Sequence, residues 1–258
     1  MTSFPINPTN EAGVARTIGG SLTPALAVLG LLLLTDLYYI GAHAFFLVTK
    51  GTDGFWLISH DQGYAEAFQH QKLLGITLVL LLWAAWERQP RLLAWAMLFG
   101  AFWADDKFMF HEMIGYELAS RAGMAAPGQD DQLVLGIVGA RHVGELIAVG
   151  VMGLILLGLL LLAWRGSPSW YRRMSRPLVL VLVGLVVCGV LFDVIGVLPW
   201  VRQISWLDHL FTLLEDGGEM LLMSIAAYIF VAALPGSLES RDFASDDDAA
   251  SPRARFGG

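Results

Sequence analysis

Long apolar runs alternate with short polar segments along this chain. Six stretches, 24–48, 67–86, 92–111 (extending to 119), 137–164, 177–200 and 208–234, are each predominantly apolar over twenty or more residues. That is the length an α-helix needs to cross roughly 30 Å of hydrocarbon. The pattern predicts an all-α integral membrane protein built as a six-helix transmembrane bundle. Residues 1–22 read as a cytoplasmic N-terminal segment, 23–235 as the six-helix transmembrane domain, and 236–258 as a disordered, solvated cytoplasmic tail holding Ser245, Asp246, Asp247, Asp248 and Pro252. Because residues 1–22 are polar and the first apolar run is long, a retained signal anchor is expected rather than a cleaved leader.

Basic residues set the expected orientation. Arg16, Arg88, Arg91, Arg165, Arg172, Arg173, Arg176, Arg241, Arg253 and Arg255 fall in one set of connecting segments, against Lys50, Arg121 and Arg202 in the other. The bias toward the cytoplasm places both termini inside. Trp86, Trp95, Trp164 and Trp170 then mark the inner interface, and Trp56, Trp200 and Trp206 the outer one. The expected setting is a cell membrane of the bacterial inner-membrane kind, crossed many times, with the lipid bilayer as first partner.

Composition narrows the classes further. The 258 residues are 56% hydrophobic and 15% charged, with mean hydropathy +0.60. A net charge of −7, with the basic residues confined to turns, excludes a nucleic-acid partner. The single Cys188 rules out an intramolecular disulfide and a thiolate metal cage.

The ionisable residues inside the apolar runs gather at one depth. Counting 1.5 Å per residue from the cytoplasmic ends puts Asp36 near the midplane and His43 near the outer edge. Glu66, His70 and Lys72 open the second helix from outside. On the third, Asp105, Asp106 and Lys107 lie roughly 20 Å up, with His111 and Glu112 at the outer boundary. Arg141, His142 and Glu145 open the fourth helix, Asp193 sits about 24 Å up the fifth, and His209, Glu215, Asp216 and Glu219 occupy the outer half of the sixth. The inner stretches 149–163, 178–192 and 220–234 carry no charge, Ser224 and Tyr228 being their conspicuous polar side chains. Charges in hydrocarbon cost on the order of 2.5–3.5 kcal/mol each even on the lenient insertion scale, so their convergence marks a functional site. The helical acids number ten (Asp36, Glu66, Asp105, Asp106, Glu112, Glu145, Asp193, Glu215, Asp216, Glu219) against three bases, Lys72, Lys107 and Arg141. Some of these acids must carry protons, or a bound cation must compensate them.

Spacing suggests how they share faces. Asp105 and Glu112 are seven apart, as are Asp36 and His43; His142 and Glu145 are three apart, Arg141 and Glu145 four, Glu215 and Glu219 four. A His-x-x-Glu pair facing carboxylates of neighbouring helices is reminiscent of bundle sites for two metals, with the order reversed. The expected ligands of a divalent ion are His43, Asp105, His111, Glu112, His142, Glu145 and Glu219. Asp106, Glu215 and Asp216 are expected to act as general base or to orient the ligating imidazoles. The donor set favours Fe, Mn, Zn or Mg. Arg141 either neutralises Glu145 or grips an anionic substrate group. His111 and Glu112 do not open a zincin motif, because Gly115 stands where the second His is required. Asp216, Gly217, Gly218 and Glu219 put two glycines among acids, as close helix approach or a bend requires.

The function expected from these residues is a membrane-embedded, metal-dependent enzyme, a hydrolase or oxidoreductase, whose site opens to the extracytoplasmic side and accepts a lipid or other amphiphile. A cation- or proton-coupled transporter or channel is the alternative, which the apolar inner halves disfavour. A membrane complex or assembly subunit, holding haem through His43 and His142, is the third.

Overall fold

The structure is a computed structural model. It describes residues 9–51, 53–124, 133–134 and 138–249, with side chains from residue 24 to residue 234 within those limits. Its helices are α1 (Thr9–Thr49), α2 (Tyr64–Trp86), α3 (Leu92–Phe108), α4 (Phe110–Arg121), α5 (Ala140–Trp164), α6 (Ser169–Val186), α7 (Asp193–Gly196), α8 (Pro199–Arg202), α9 (Ser205–Thr212) and α10 (Gly218–Ala249). A 3-10 turn, Gly54–Trp56, follows α1, and two short antiparallel strands, β1 (Leu133–Val134) and β2 (Val138–Gly139), precede α5. The protein is therefore mostly helical, as the apolar runs predicted. Helix α10 runs into the stretch read from the sequence as a solvated tail, while residues 1–8 and 250–258 lie outside the described residues.

Five segments are long and apolar enough to cross a membrane: Pro24–Thr49, Tyr64–Trp86, Ala140–Trp164, Ser169–Gly196 and Ser205–Leu234. The run 92–111 differs from expectation. Helix α3 stops after 17 residues, Met109 turns left-handed (φ 53, ψ 41), and α4 starts afresh at Phe110. The cause lies one turn back. Asp105 accepts the Met109 N–H on its backbone oxygen, and its side-chain Oδ1 accepts the His111 N–H at 2.9 Å. A carboxylate that takes an amide proton from the next turn competes with the helical ladder and starts a new helix instead.

Two spans are also irregular. A π-helical segment, Val187–Phe192, joins α6 to α7, and a second, Leu213–Gly217, joins α9 to α10. The inserted residue of a π turn rotates the helix beyond it, and such turns concentrate at functional sites. These two segments meet: Gly189 lies against the Glu219 carboxylate, and Gly218 against Cys188 Sγ.

The apolar core fills the end of the bundle that holds the α2–α3 and α5–α6 turns. Leu80 and Trp83 of α2, Trp95 and Phe99 of α3, Tyr171 and Leu178 of α6, and Met223 and Phe230 of α10 pack there with Leu156 and Leu160 of α5. The buried Trp95 indole N–H donates to Ser175 Oγ at 3.0 Å and the Tyr171 hydroxyl to Arg91 O at 3.3 Å, so both polar tips are satisfied. Arg91 donates to Gly166 O and Arg172 to Ser167 O, which ties the turns together. The other end of the bundle is where the acids collect.

Candidate functional site

Between the apolar core and the acidic end lies a buried ion pair. Lys72 Nζ on α2 donates to Asp36 Oδ1 on α1 at 2.7 Å and to Met220 O at 2.8 Å, while Ser224 Oγ on α10 donates to Asp36 Oδ2 at 2.5 Å. Asp36 is fully buried and Lys72 nearly so. Every oxygen of the carboxylate is engaged, which is the condition under which a buried pair is tolerated. Lys72, the base nearest the midplane, is thereby committed to Asp36 and does not serve the acids beyond it.

One turn toward the acidic end, Glu66 and His70 of α2 face Asp106 of α3. His70 Nε2 lies 2.9 Å from Asp106 Oδ2 and 3.5 Å from Glu66 Oε1. Among the described residues, these three bring their donor atoms within 4.8 Å of one another. Helix spacing explains it, since residues four apart on α2 stand one above the other. Glu66 is held from behind by the backbone N–H of Gln62. His70 is 8% exposed, yet its Nε2 makes no aligned hydrogen bond. An imidazole nitrogen buried between two carboxylates holds either a proton shared with them as an ion pair or, deprotonated, a metal ion.

A second group forms across α3, α4, α5 and α7. His142 Nδ1 lies 2.9 Å from Glu145 Oε2, and its Nε2 lies 3.0 Å from Asp193 Oδ2, again buried and without an aligned hydrogen bond. Arg141 bridges Glu145 Oε1 at 3.0 Å and Glu112 Oε2 at 2.9 Å. It therefore neutralises Glu145, the first of its two expected roles, and Glu112 as well. His111 Nδ1 meets Asp105 Oδ2 at 2.9 Å. The close crossing of α4 and α5 sets this geometry. A Cβ on Gly115 would sit 2.5 Å from Glu145 Cγ, and one on Gly144 would sit 2.5 Å from Gly115 O. Only glycine permits that approach.

The π segment before α10 carries Glu215 and Asp216, and α10 opens with Glu219 in its first turn. Asp216 stands in the field of Glu219, Asp106, Asp193 and the outer-loop Asp61. Glu219 feels Asp106, Glu215 and Asp193, and Glu215 feels Asp216, Asp193 and His142. Asp130 and Asp131 lie outside the described residues.

The expected ligands thus do not share one point. Asp105 binds His111, Glu112 and Glu145 bind Arg141, and His142 turns toward Asp193, because the break at Met109 starts α4 on a new axis. His43 is set apart by its tautomer. The Ile58 N–H donates to His43 Nδ1 at 3.2 Å, so the ring proton sits on Nε2, which is buried and without a hydrogen bond. In that form Nε2 of His43 is a donor. Asp106, expected as a base, stands instead among ligand atoms, and Glu215, Asp216 and Glu219 do join it. Glu66 and His70, which the structure brings to Asp106, are not among the ligands expected from the sequence, although their four-residue spacing on α2 was a readable signal. Asp193, the lone acid in an otherwise apolar run, was another.

No curated protein matches the chain, and no solved structure does. A family model described as a domain of unknown function (DUF8692) matches residues 25–233, and the chain belongs to that family.

Proposed function

We propose that this protein is a multi-pass enzyme of a bacterial inner membrane that uses a divalent metal ion, held at Glu66, His70 and Asp106 in a site open to the extracytoplasmic side. The observation that carries the reading is the buried His70 Nε2, 2.9 Å from Asp106 Oδ2 with no aligned hydrogen bond between them. Ligand atoms at that separation would suit neighbouring positions around a divalent ion held by nitrogen and oxygen. An N/O donor set suits Fe, Mn or Zn, with Mg less favoured by the imidazole. An ion held by Glu66, His70 and Asp106 would supply Lewis-acid polarisation of a substrate or a bound water of lowered pKa. Glu215 and Asp216 would serve as its proton acceptors.

Six spans with both termini cytoplasmic fit this reading. Helix α3 at 17 residues covers about 25 Å, and α4 carries the same stretch of chain on at the polar outer level. The arginines of the α2–α3 and α5–α6 turns then lie inside, where the basic bias puts them.

The substrate is proposed to be amphiphilic. A cavity of about 280 Å³ opens between α3, α4 and α5, with Ala101, Ala104, Ile114, Ala148 and Met152 on its wall and Asp105 and His111 its polar residues. An aliphatic chain in this cavity would place its polar end beside Asp105, the neighbour of Asp106. Incubating the metal-loaded protein with extracted membrane lipid, followed by mass spectrometry, tests the reading. A metal-dependent conversion lost in His70→Ala supports it. Unchanged lipid, together with metal-dependent cation flux in proteoliposomes lost on Asp105→Asn, would replace it with a transporter.

A further inference from the structure

We infer that the basic end of the bundle binds an anionic phospholipid of the surrounding bilayer, with an acyl chain in a groove between α2 and α10 and the phosphate against Arg88 and Arg173. The groove lies at the opposite end from the acids, and the inference does not rest on the metal-dependent reading. About 690 Å³ is walled by Val79, Leu82, Trp83 and Trp86 of α2, by Glu87 directly after it and by Leu234 of α10. Leu82 is 69% and Trp86 83% exposed, so two large apolar side chains stand bare at this surface. Exposed apolar surface of this extent, edged by charge, marks a place where lipid or protein docks.

The charge at its edge decides for lipid. Arg91 donates to Gly166 O at 3.1 Å, which brings the α2–α3 and α5–α6 turns together, and the Trp83 ring on the groove wall packs against Trp170 at 5.7 Å. Arg173, three residues beyond Trp170 on α6, shares its face. Arg88 follows Glu87 at the left-handed turn that ends α2 (φ 51). Arg88 and Arg173 are exposed and pair with no acid among the described residues, whereas Arg121 and Arg141 at the other end do. Arg91 and Arg172 are already committed to the carbonyls of Gly166 and Ser167. Glu87 is 4% exposed, so the charge at the surface is arginine's. Guanidinium groups beside an apolar groove complement a phosphodiester carried on aliphatic chains. A free phosphate would leave the groove walls bare, and a neutral lipid would leave the arginines without an anion.

The test reconstitutes full-length protein in vesicles of phosphatidylcholine with a minor fraction of phosphatidylglycerol. Either the phosphatidylglycerol or an equal amount of the phosphatidylcholine carries brominated chains, which quench nearby tryptophans. Brominated phosphatidylglycerol is expected to quench more strongly, and Trp86→Phe should diminish that difference. Arg88→Gln and Arg173→Gln should each weaken the preference by up to about fivefold, the equivalent of about 1 kcal/mol per basic residue near an anionic surface. Melting curves in detergent establish that the variants remain folded. Equal quenching by the two lipids in the wild type overturns the site, as does a preference that survives the double arginine variant. Quenching by both lipids that Trp86→Phe leaves unchanged shows that lipid does not reach the groove, and a second copy or another protein segment then takes its place.

Discussion

Glu219 rests its carboxylate directly on the Cα of Gly189, where the two π-helical segments face each other. The contact exists only because position 189 has no side chain. Gly189→Ala should push Glu219 aside and cost about 1–3 kcal/mol by overpacking. Thermal unfolding in detergent reads the change. A melting point equal to that of the wild type would refute the close contact.

The Asp36–Lys72 pair gives a stability prediction that does not depend on metal. Lys72→Met leaves Asp36 buried without its cation, a change that typically costs about 3–5 kcal/mol. The double variant Asp36→Asn with Lys72→Met removes both charges and should recover most of that loss. Thermal unfolding in detergent, run for the two single variants and the double, checks it. Additive losses would show that the two charges do not depend on each other.

Gly115 and Gly144 allow α4 and α5 to touch through their backbones. Gly144→Ala should cost about 1–3 kcal/mol by overpacking, and Gly115→Ala should in addition displace Glu145. Gly150, on the same α5, has open space within 4 Å of the point where a Cβ would stand, and Gly150→Ala should gain up to about 1 kcal/mol through helix propensity. Melting temperatures of the three variants separate the cases; equal effects at 144 and 150 would refute the close crossing.

Segment lengths, helical class and the gathering of the acids at one end of the bundle were legible because each depends on local hydropathy. Five of the apolar runs became segments long and apolar enough to cross a membrane for that reason. The sixth was not legible as two helices, since its break depends on Asp105 choosing the His111 amide over solvent, which leaves the apolar pattern unchanged. The π segments at Val187–Phe192 and Leu213–Gly217 escaped for a similar reason: one extra residue per turn alters direction and leaves composition untouched. Pairings across helices, Lys72 with Asp36 and His142 with Asp193, are tertiary facts that spacing along one helix cannot supply. Glu66 and His70 were different. Their spacing was on view among the helical charges, but nothing along one helix names Asp106 as the partner they face.

A bound metal should also stabilise the fold. Any ion held at 100 times its dissociation constant adds about 2.7 kcal/mol to the native state. Chelator treatment is therefore expected to lower the melting temperature of the wild type and to leave His70→Ala and Asp106→Asn largely unaffected. An equal chelator response in wild type and variants would place the metal elsewhere.

X-ray absorption at the metal edge, on protein purified without chelator, tests the central claim most directly. The account predicts an absorption edge from Fe, Mn or Zn with a first shell of nitrogen and oxygen at about 2.0–2.2 Å, an imidazole contribution, and loss of that contribution in His70→Ala. A shell containing sulfur, an imidazole signal indifferent to His70, or protein without any such metal would contradict it.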